Sequence, residues 1–273
     1  MPPQSTPPNT ESHASIGVLD SGVGGLSVLR AIHQALPDHP TVYFADQAHL
    51  PYGPRPLDEI RRFTSAITDF LLAKGAVVIV VACNAASAAS LSYLREQYPN
   101  VPFVGMEPAV KPAAAASRTG VIGVLTTQAT ADGPLYERVL TRFADGVQVI
   151  TQIAPELVHI VETNSQHTPE NCALLRQYMQ PFLDARADQI ALACTHFPFL
   201  IPILCEIVGP DVVLVDPSPA IARQVARVWP PDVTPGHRPH TYFTSGDPDH
   251  LRAMLKRLID IDAPVVDSVA LPL

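Results

Sequence analysis

Two cysteines close short apolar runs far apart in the chain, and each is followed by a small polar residue. Cys83 ends Ala76-Val77-Val78-Ile79-Val80-Val81-Ala82 and precedes Asn84; Cys194 ends Gln189-Ile190-Ala191-Leu192-Ala193 and precedes Thr195. Runs of this kind read as buried strands of a parallel sheet. Asn84 and Thr195 are N-cap types with helical patterns behind them, so each thiol is predicted at a strand's carboxyl end and a helix mouth. Open α/β sheets place their ligands there, and a helix N-terminus lowers a thiol pKa. A thiolate is a base as well as a nucleophile. Two such groups on opposite faces of one carbon can invert it, one removing a proton while the other donates. His196, two residues after Cys194, can manage that thiol's proton. A Cys/His hydrolase would leave the second cysteine without a role, and no cysteine-protease signature is present.

Other polar segments fall at predicted strand ends. Asp20-Ser21-Gly22-Val23-Gly24-Gly25 reads as a tight turn that exposes Asp20 and Ser21, with helix capping as the plainer alternative. A phosphate cradle is disfavoured, because Ser27 breaks the Gly-x-Gly-x-x-Gly frame, no Gly-Lys-Ser/Thr follows, and Asp20 would repel an anion. Asp46-Gln47-Ala48-His49-Leu50-Pro51-Tyr52-Gly53-Pro54 is a shaped loop in which Tyr52 either serves a site or packs on the loop itself. Thr126-Thr127-Gln128-Ala129-Thr130 offers hydroxyls and N–H groups that suit a carboxylate, or forms an ordinary capping turn.

The elements that must carry these groups alternate throughout. Strands are predicted at 16–20, 41–46, 77–82, 101–105, 121–125, 147–153, 190–193 and 212–215. Helices are predicted at 26–36, 57–74, 85–97, 110–117, 134–143, 156–162, 169–185, from 194 to 207, 220–228 and 247–259. This is the βαβ pattern of an α/β protein with mainly parallel sheets. An internal echo suggests two related halves. Ile16-Gly17-Val18-Leu19 matches Ile122-Gly123-Val124-Leu125 at an offset of 106 residues, and the two cysteines are 111 apart.

Bulk properties narrow the classes. The chain has 273 residues, 47% hydrophobic and 16% charged, with a formal net charge of −8 and no Lys/Arg cluster. That disfavours a nucleic-acid face. The apolar runs are strand-length, too short for a membrane span. Residues 1–14, rich in Pro, Ser and Thr, read as a disordered tail and not a secretory leader, so a reducing cytoplasm is expected. Four cysteines without a C-x-x-C pair or His spacing disfavour zinc, and no other metal site is predicted. Cys172 and Cys205 read as small buried hydrophobes.

Taken in order, these segments resemble the glutamate racemases of the aspartate/glutamate racemase superfamily. The resemblance rests on Gly17 through Leu26, Pro51-Tyr52-Gly53, Ala82-Cys83-Asn84, Glu107-Pro108, Pro155 through Glu162, Ala193-Cys194-Thr195-His196 and Asp216-Pro217-Ser218. It implies two pseudo-symmetric α/β lobes, 15–105 with 214–273 and 106–213, and an active site in the cleft between them. It implies catalytic thiols at Cys83 and Cys194, the first supported by Asp20 and the second by His196 and Glu162. Substrate contacts are implied at Asp20, Ser21, Pro51, Tyr52, Gly53, Asn84, Ala85, Thr127, Thr195 and His196. The implied reaction interconverts L- and D-glutamate without a cofactor and supplies D-glutamate for peptidoglycan. The implied partner is glutamate alone, with no nucleic acid or membrane, and a homodimer is compatible with it. Two positions depart from the family pattern: Ala85 stands where Thr is usual, and Ala129 where Gly is common. The alternatives are a related racemase or isomerase acting on another small acid such as aspartate, a nucleotide-binding regulatory protein, and an inactive relative. A one-thiol decarboxylase is disfavoured by the second cysteine.

Overall fold

The most apolar runs form the middle strands of two separate parallel sheets. The computed structural model describes residues 13–272. Its strands are β1 (Ser15–Asp20), β2 (Thr41–Ala45), β3 (Ala76–Val81), β4 (Phe103–Gly105), β5 (Val121–Thr126), β6 (Gln148–Ile153), β7 (Gln189–Leu192), β8 (Val213–Val215), β9 (Thr241–Thr244) and β10 (Val266–Ser268). The larger sheet runs β10-β9-β2-β1-β3-β4 and the smaller β6-β5-β7-β8. The helices are α1 (Leu26–Ala35), α2 (Leu57–Ala73), α3 (Asn84–Gln97), α4 (Val110–Ala116), α5 (Gln128–Ala131), α6 (Pro134–Phe143), α7 (Glu156–Thr163), α8 (Pro169–Asp184), α9 (Ile201–Val208), α10 (Ser218–Val228) and α11 (Pro248–Ile259). This is the mixed α/β architecture with mainly parallel sheets that the alternating pattern predicts.

Strand periodicity sorts the core into layers. In β1, Ile16 and Val18 pack with Leu26, Leu29 and Ile32 of α1 and with Val225 and Leu251 of α10 and α11. Leu19 points the other way, toward Phe63, Ile67 and Leu71 of α2. The smaller sheet is covered likewise. Ile122 and Val124 meet Val110 and Val139, while Leu125 and Leu192 meet Leu157, Leu175 and Phe182.

The echo in the sequence has a structural counterpart. The order β2-β1-β3-β4 in one sheet matches β6-β5-β7-β8 in the other. Gly17 pairs with Ile79 and Gly123 with Ile190, at equivalent places on equivalent strands. The ladders also close alike: Ala82 N–H donates to the Leu19 carbonyl and Ala193 N–H to the Leu125 carbonyl, each at 2.8 Å. The residue after each of these bonds is a cysteine.

Several expectations need correction. β9 and β10 were not predicted; neither carries a continuous apolar run, and they exist by pairing, β9 with β2 and β10 with β9. The short α5 was also missed. β8 pairs with β7, so the smaller sheet runs to Val215, past the expected division at 213/214. The tail predicted over 1–14 lies outside the described residues as far as residue 12. Ala14 is buried, and its carbonyl accepts from Gly236 N–H at 2.9 Å. Cys205 is exposed and Cys172 half-buried, against the buried reading of both. Among the described residues, no helix is long and apolar enough to cross a membrane.

A pair of stacked imidazoles joins α1 to the strand start at Thr41. The His33 and His240 rings lie 3.9 Å apart, with Thr41 Oγ1 2.9 Å from His33 Nε2 and 3.0 Å from His240 Nδ1. Thr41 N–H also donates to His240 Nδ1 at 3.2 Å, which makes that nitrogen an acceptor and the ring neutral. Burial pushes His33 down to about 3, a charge there being opposed also by any charge on His240, and burial lowers His240 too. Groups neutral in the fold but protonated when unfolded withdraw stability as pH falls below the unfolded value of about 6.5. The double variant His33→Gln/His240→Asn keeps hydrogen-bonding atoms in place but cannot titrate. Melting temperatures at pH 7.5 and 5.0 should show a smaller acid loss in the variant than in the parent; equal losses would refute this.

Candidate active site

β1, β3 and β7 deliver three polar turns toward one another. Asp20, the last residue of β1, is fully buried, and Ser21 is nearly so. The expected exposure of both is therefore wrong: the turn folds over its own carboxylate. Asp20 Oδ2 accepts from Gly22 N–H at 3.1 Å and Gly25 N–H at 2.9 Å, while Oδ1 has no hydrogen-bond partner. The N-cap of α1 is Gly25, not Asp20 or Ser21. The glycines leave room for the other half of the molecule. A Cβ on Gly24 would fall 2.4 Å from His196 Nδ1 and 2.7 Å from Thr195 Oγ1, and one on Gly22 would fall 2.5 Å from Glu162 Oε1. Ser27 Oγ then ties the turn to the Thr195 carbonyl at 2.9 Å.

Cys83 follows β3 and is itself the N-cap of α3. Its backbone is extended, and its sulfur accepts from Ala86 N–H at 3.5 Å. Asn84, expected to cap, is instead the first helical residue; its amide is buried with neither Nδ2 nor Oδ1 partnered. Ser21 Oγ lies 3.5 Å from the Cys83 sulfur, joining the β1 turn to this thiol. Ala85, the next residue of α3, is half-buried.

Cys194 follows β7 at the matching place, but what comes after differs. A 3-10 turn, Phe197–Leu200, precedes α9, and the residue before that turn is His196. Thr195 is thus not a cap, and Cys194 does not open an α-helix. Proline at 198 and 202 breaks the continuous helix expected from 194 to 207. The thiol's partner is a side chain: His196 Nδ1 lies 3.7 Å from its sulfur. His196 Nε2 in turn lies 2.7 Å from Glu162 Oε1 of α7, which also accepts from Val23 N–H at 3.1 Å.

The loop after β2 is braced from within. Tyr52 donates its hydroxyl to Asp46 Oδ2 at 2.5 Å, and Asp46 Oδ1 holds His49 Nδ1 at 2.8 Å and the Ser245 hydroxyl at 2.6 Å. Tyr52 therefore packs with its loop. Pro51 is exposed, and a Cβ on Gly53 would meet Ala129 at 3.5 Å, so the loop abuts the Thr127–Thr130 turn across the halves. Thr127 is half-buried, with its hydroxyl 3.4 Å from that of Thr130. Two contributors were missed. Ser245 and His250, whose Nε2 lies 3.7 Å from Glu162 Oε2, come from the C-terminal segment. Its turn signal, Ser245-Gly246-Asp247-Pro248, marks the helix start without saying what the helix faces.

Comparison with known proteins bears on this arrangement. Residues 16–225 match the family described as Asp/Glu/Hydantoin racemase. The chain belongs to that family. It is 46% identical to the glutamate racemase of Roseiflexus sp. (strain RS-1), over 91% of this chain and 93% of the relative. Glutamate racemase isoform RacE1 from Bacillus anthracis has a TM-score of 0.86 at 30% identity, covering 96% of this chain and 99% of that one. Escherichia coli glutamate racemase, solved with L-glutamate and the activator UDP-MurNAc-Ala, has a TM-score of 0.85 at 30% identity, covering 95% and 99%.

In this racemase-family chain the two thiols have different polar neighbours, Ala86 N–H and Ser21 at Cys83 and His196 at Cys194. Burial, joined by the Asp20 charge and, least, by Cys194, pushes Cys83 up to about 12, against the pull of Ala86 N–H and Ser21. Burial also raises Asp20, against the His196 charge and its two backbone donors. Burial works against a cationic His196, but hydrogen bonds to Cys194 and Glu162 and their charges carry it well above its ordinary value. Burial alone would raise Glu162; its hydrogen bond to His196 and the imidazolium charge hold it below the usual carboxylate range. In Glu162→Gln the imidazolium loses its counter-charge. NMR titration should find His196 deprotonating at lower pH than in the parent; an unchanged midpoint would show that Glu162 does not set its charge.

Proposed function

We propose that this chain interconverts L- and D-glutamate without a cofactor, moving protons between Cα and the thiols of Cys83 and Cys194. The observation that carries the reading is the matched placement of both cysteines, one residue beyond equivalent hydrogen bonds of equivalent strands. The two-lobe division and the cleft site implied by the sequence belong to the same reading.

The unequal surroundings of the thiols suit a two-base reaction. Cys83 stays neutral and is the donor. Cys194, whose sulfur lies 3.7 Å from His196 Nδ1, is the acceptor. Cys194 takes the Cα proton from one face, and Cys83 gives its proton to the other. The products are the inverted amino acid, a Cys194 thiol and a Cys83 thiolate, which is the form that runs the reverse reaction. Asp20, beside Cys83 with one oxygen unpartnered, receives the substrate ammonium. Asn84, with both amide atoms unpartnered, and the Ser21, Thr127 and Thr195 hydroxyls hold the carboxylates. Fixed donors there stabilise charge as it develops on the carbanion.

The rival nucleotide reading loses its basis at the glycine turn. Three of that turn's N–H groups, on Gly22, Val23 and Gly25, are already taken by Asp20 and Glu162. The enzyme works in the cytoplasm, as a monomer or homodimer, with no nucleic-acid or membrane partner, and its D-glutamate feeds peptidoglycan assembly.

Circular dichroism of L-glutamate over time, without added cofactor and with aspartate run beside it, tests the reading. The glutamate signal should decay to zero. Cys83→Ser and Cys194→Ser should each lower the rate by about a thousandfold or more. Most of the rate surviving in either variant would end the two-thiol scheme. Ala85→Thr restores the hydroxyl usual in the family; one added hydrogen bond of about 1 kcal/mol should lower KM for glutamate about fivefold. An unchanged KM would mean the Ala85 position does not meet substrate.

A further inference from the structure

The Glu162 carboxylate has two oxygens with different tasks. Oε1 holds His196 Nε2 at 2.7 Å and accepts from Val23 N–H at 3.1 Å. Oε2 faces His250 Nε2 at 3.7 Å, an ion-pair distance. His250 lies in the first turn of α11, which packs with α1, β9 and β10 of the larger sheet. Glu162 and His196 belong to elements of the smaller one. The His250 side chain is 40% exposed and that of Glu162 11%, so the imidazole covers the outer edge of a buried carboxylate. Four elements therefore meet at Glu162: α7, the β1–α1 turn, the turn after β7, and α11.

A carboxylate held on one oxygen can still rotate about its terminal bond, because that torsion is broad. A second contact on the other oxygen fixes its plane. We propose that His250 is a positioning residue for the Cys194 side of the reaction: by holding Glu162 Oε2, it keeps Oε1 on His196 and His196 against the thiol. This rests on the reading that Cys194 transfers a proton. It assigns the C-terminal helix to one thiol only, since none of the described contacts of His250 reaches Cys83, Ser21 or Asp20. A charge on His250 would act on Glu162 in the same direction as the larger pulls of His196 and Val23 N–H.

The test is His250→Ala, a substitution that suits a partly exposed first helical turn. Because enantiomers have equal free energy, kcat/KM must fall equally in both directions. The expected loss is about three- to tenfold, the scale of a partly exposed ion pair. The deciding readout is the α-deuterium isotope effect on kcat/KM for each enantiomer. Slowing proton transfer at Cys194 alone should raise it for the enantiomer that Cys194 deprotonates and not for the other. His250→Arg, which supplies an N–H donor at the same place, should bring both values back toward the parent's. Isotope effects that stay unchanged, or rise together for both enantiomers, would overturn the assignment. If the parent protein fails to racemise glutamate, the glutamate reading falls by itself. The His250 assignment is then decided on the free protein, where the ring 15N signals of His196 should move in His250→Ala and would stay put if the contact did not act.

Discussion

The glycine turn between β1 and α1 is the constraint on which the site depends. It must close over a buried carboxylate of its own half while lying against an imidazole, a hydroxyl and a carboxylate of the other. A Cβ on Gly22 or Gly24 would come closer than 3.0 Å to Glu162, His196 or Thr195. Neither glycine has a positive φ, so the need is for space, not for an unusual backbone. Loss of that contact would separate Val23 N–H from Glu162, and the Ser27 hydroxyl from Thr195. The two halves would then lose the polar ties that position their thiols.

The same turn explains how buried charge is tolerated here. An isolated carboxylate in an apolar interior is strongly disfavoured unless paired or hydrogen-bonded. Asp20 and Glu162 both draw on the N–H groups of this short turn, and Glu162 adds an imidazolium. Asp20 keeps one oxygen unpartnered, and the neighbouring Asn84 amide has no partner at either atom. In a folded protein such unsatisfied groups are few and call for an explanation. Placed beside a thiol, they leave a polar deficit that a charged, hydrogen-bonding substrate would fill.

Much of this was legible in the sequence, for reasons that can be named. β1, β3, β5 and β7 are buried on both faces, so their apolar runs are continuous and their ends are sharp; that located Cys83 and Cys194. The repeat was readable because a glycine in the middle strand of each sheet sits under a packed side chain, Ile79 in one half and Phe182 in the other. Local rules failed where tertiary contacts decide. Asn84 is the better cap by type, yet Cys83 caps because its sulfur is held between Ala86 N–H and Ser21. The prolines at 198 and 202 were visible, but the 3-10 turn they impose was read as helix. β9 (Thr-Tyr-Phe-Thr) and β10 (Val-Asp-Ser) lack the continuous apolar run that marks the middle strands. His250 meets Glu162 across a separation of 88 residues, and nothing near either position encodes the contact.

A repeated fold supplies matched positions for two sulfurs, but inversion of a carbon needs one proton donor and one acceptor at a time. The symmetry must therefore be broken in the charges. It is broken first at the strand ends: Asp20 and Thr126 accept equivalent backbone hydrogen bonds, from Asp46 and Ala154, yet one carries a carboxylate and the other a hydroxyl. It is broken again after the cysteines, where α3 begins at once and α9 is delayed by the turn that carries His196. The first thiol is thereby buried beside a carboxylate, and burial and that charge together push its pKa up, while the second lies beside the imidazole of His196. The common backbone geometry sets where the sulfurs lie, and the residues that differ after the two strands give each sulfur its own polar surroundings.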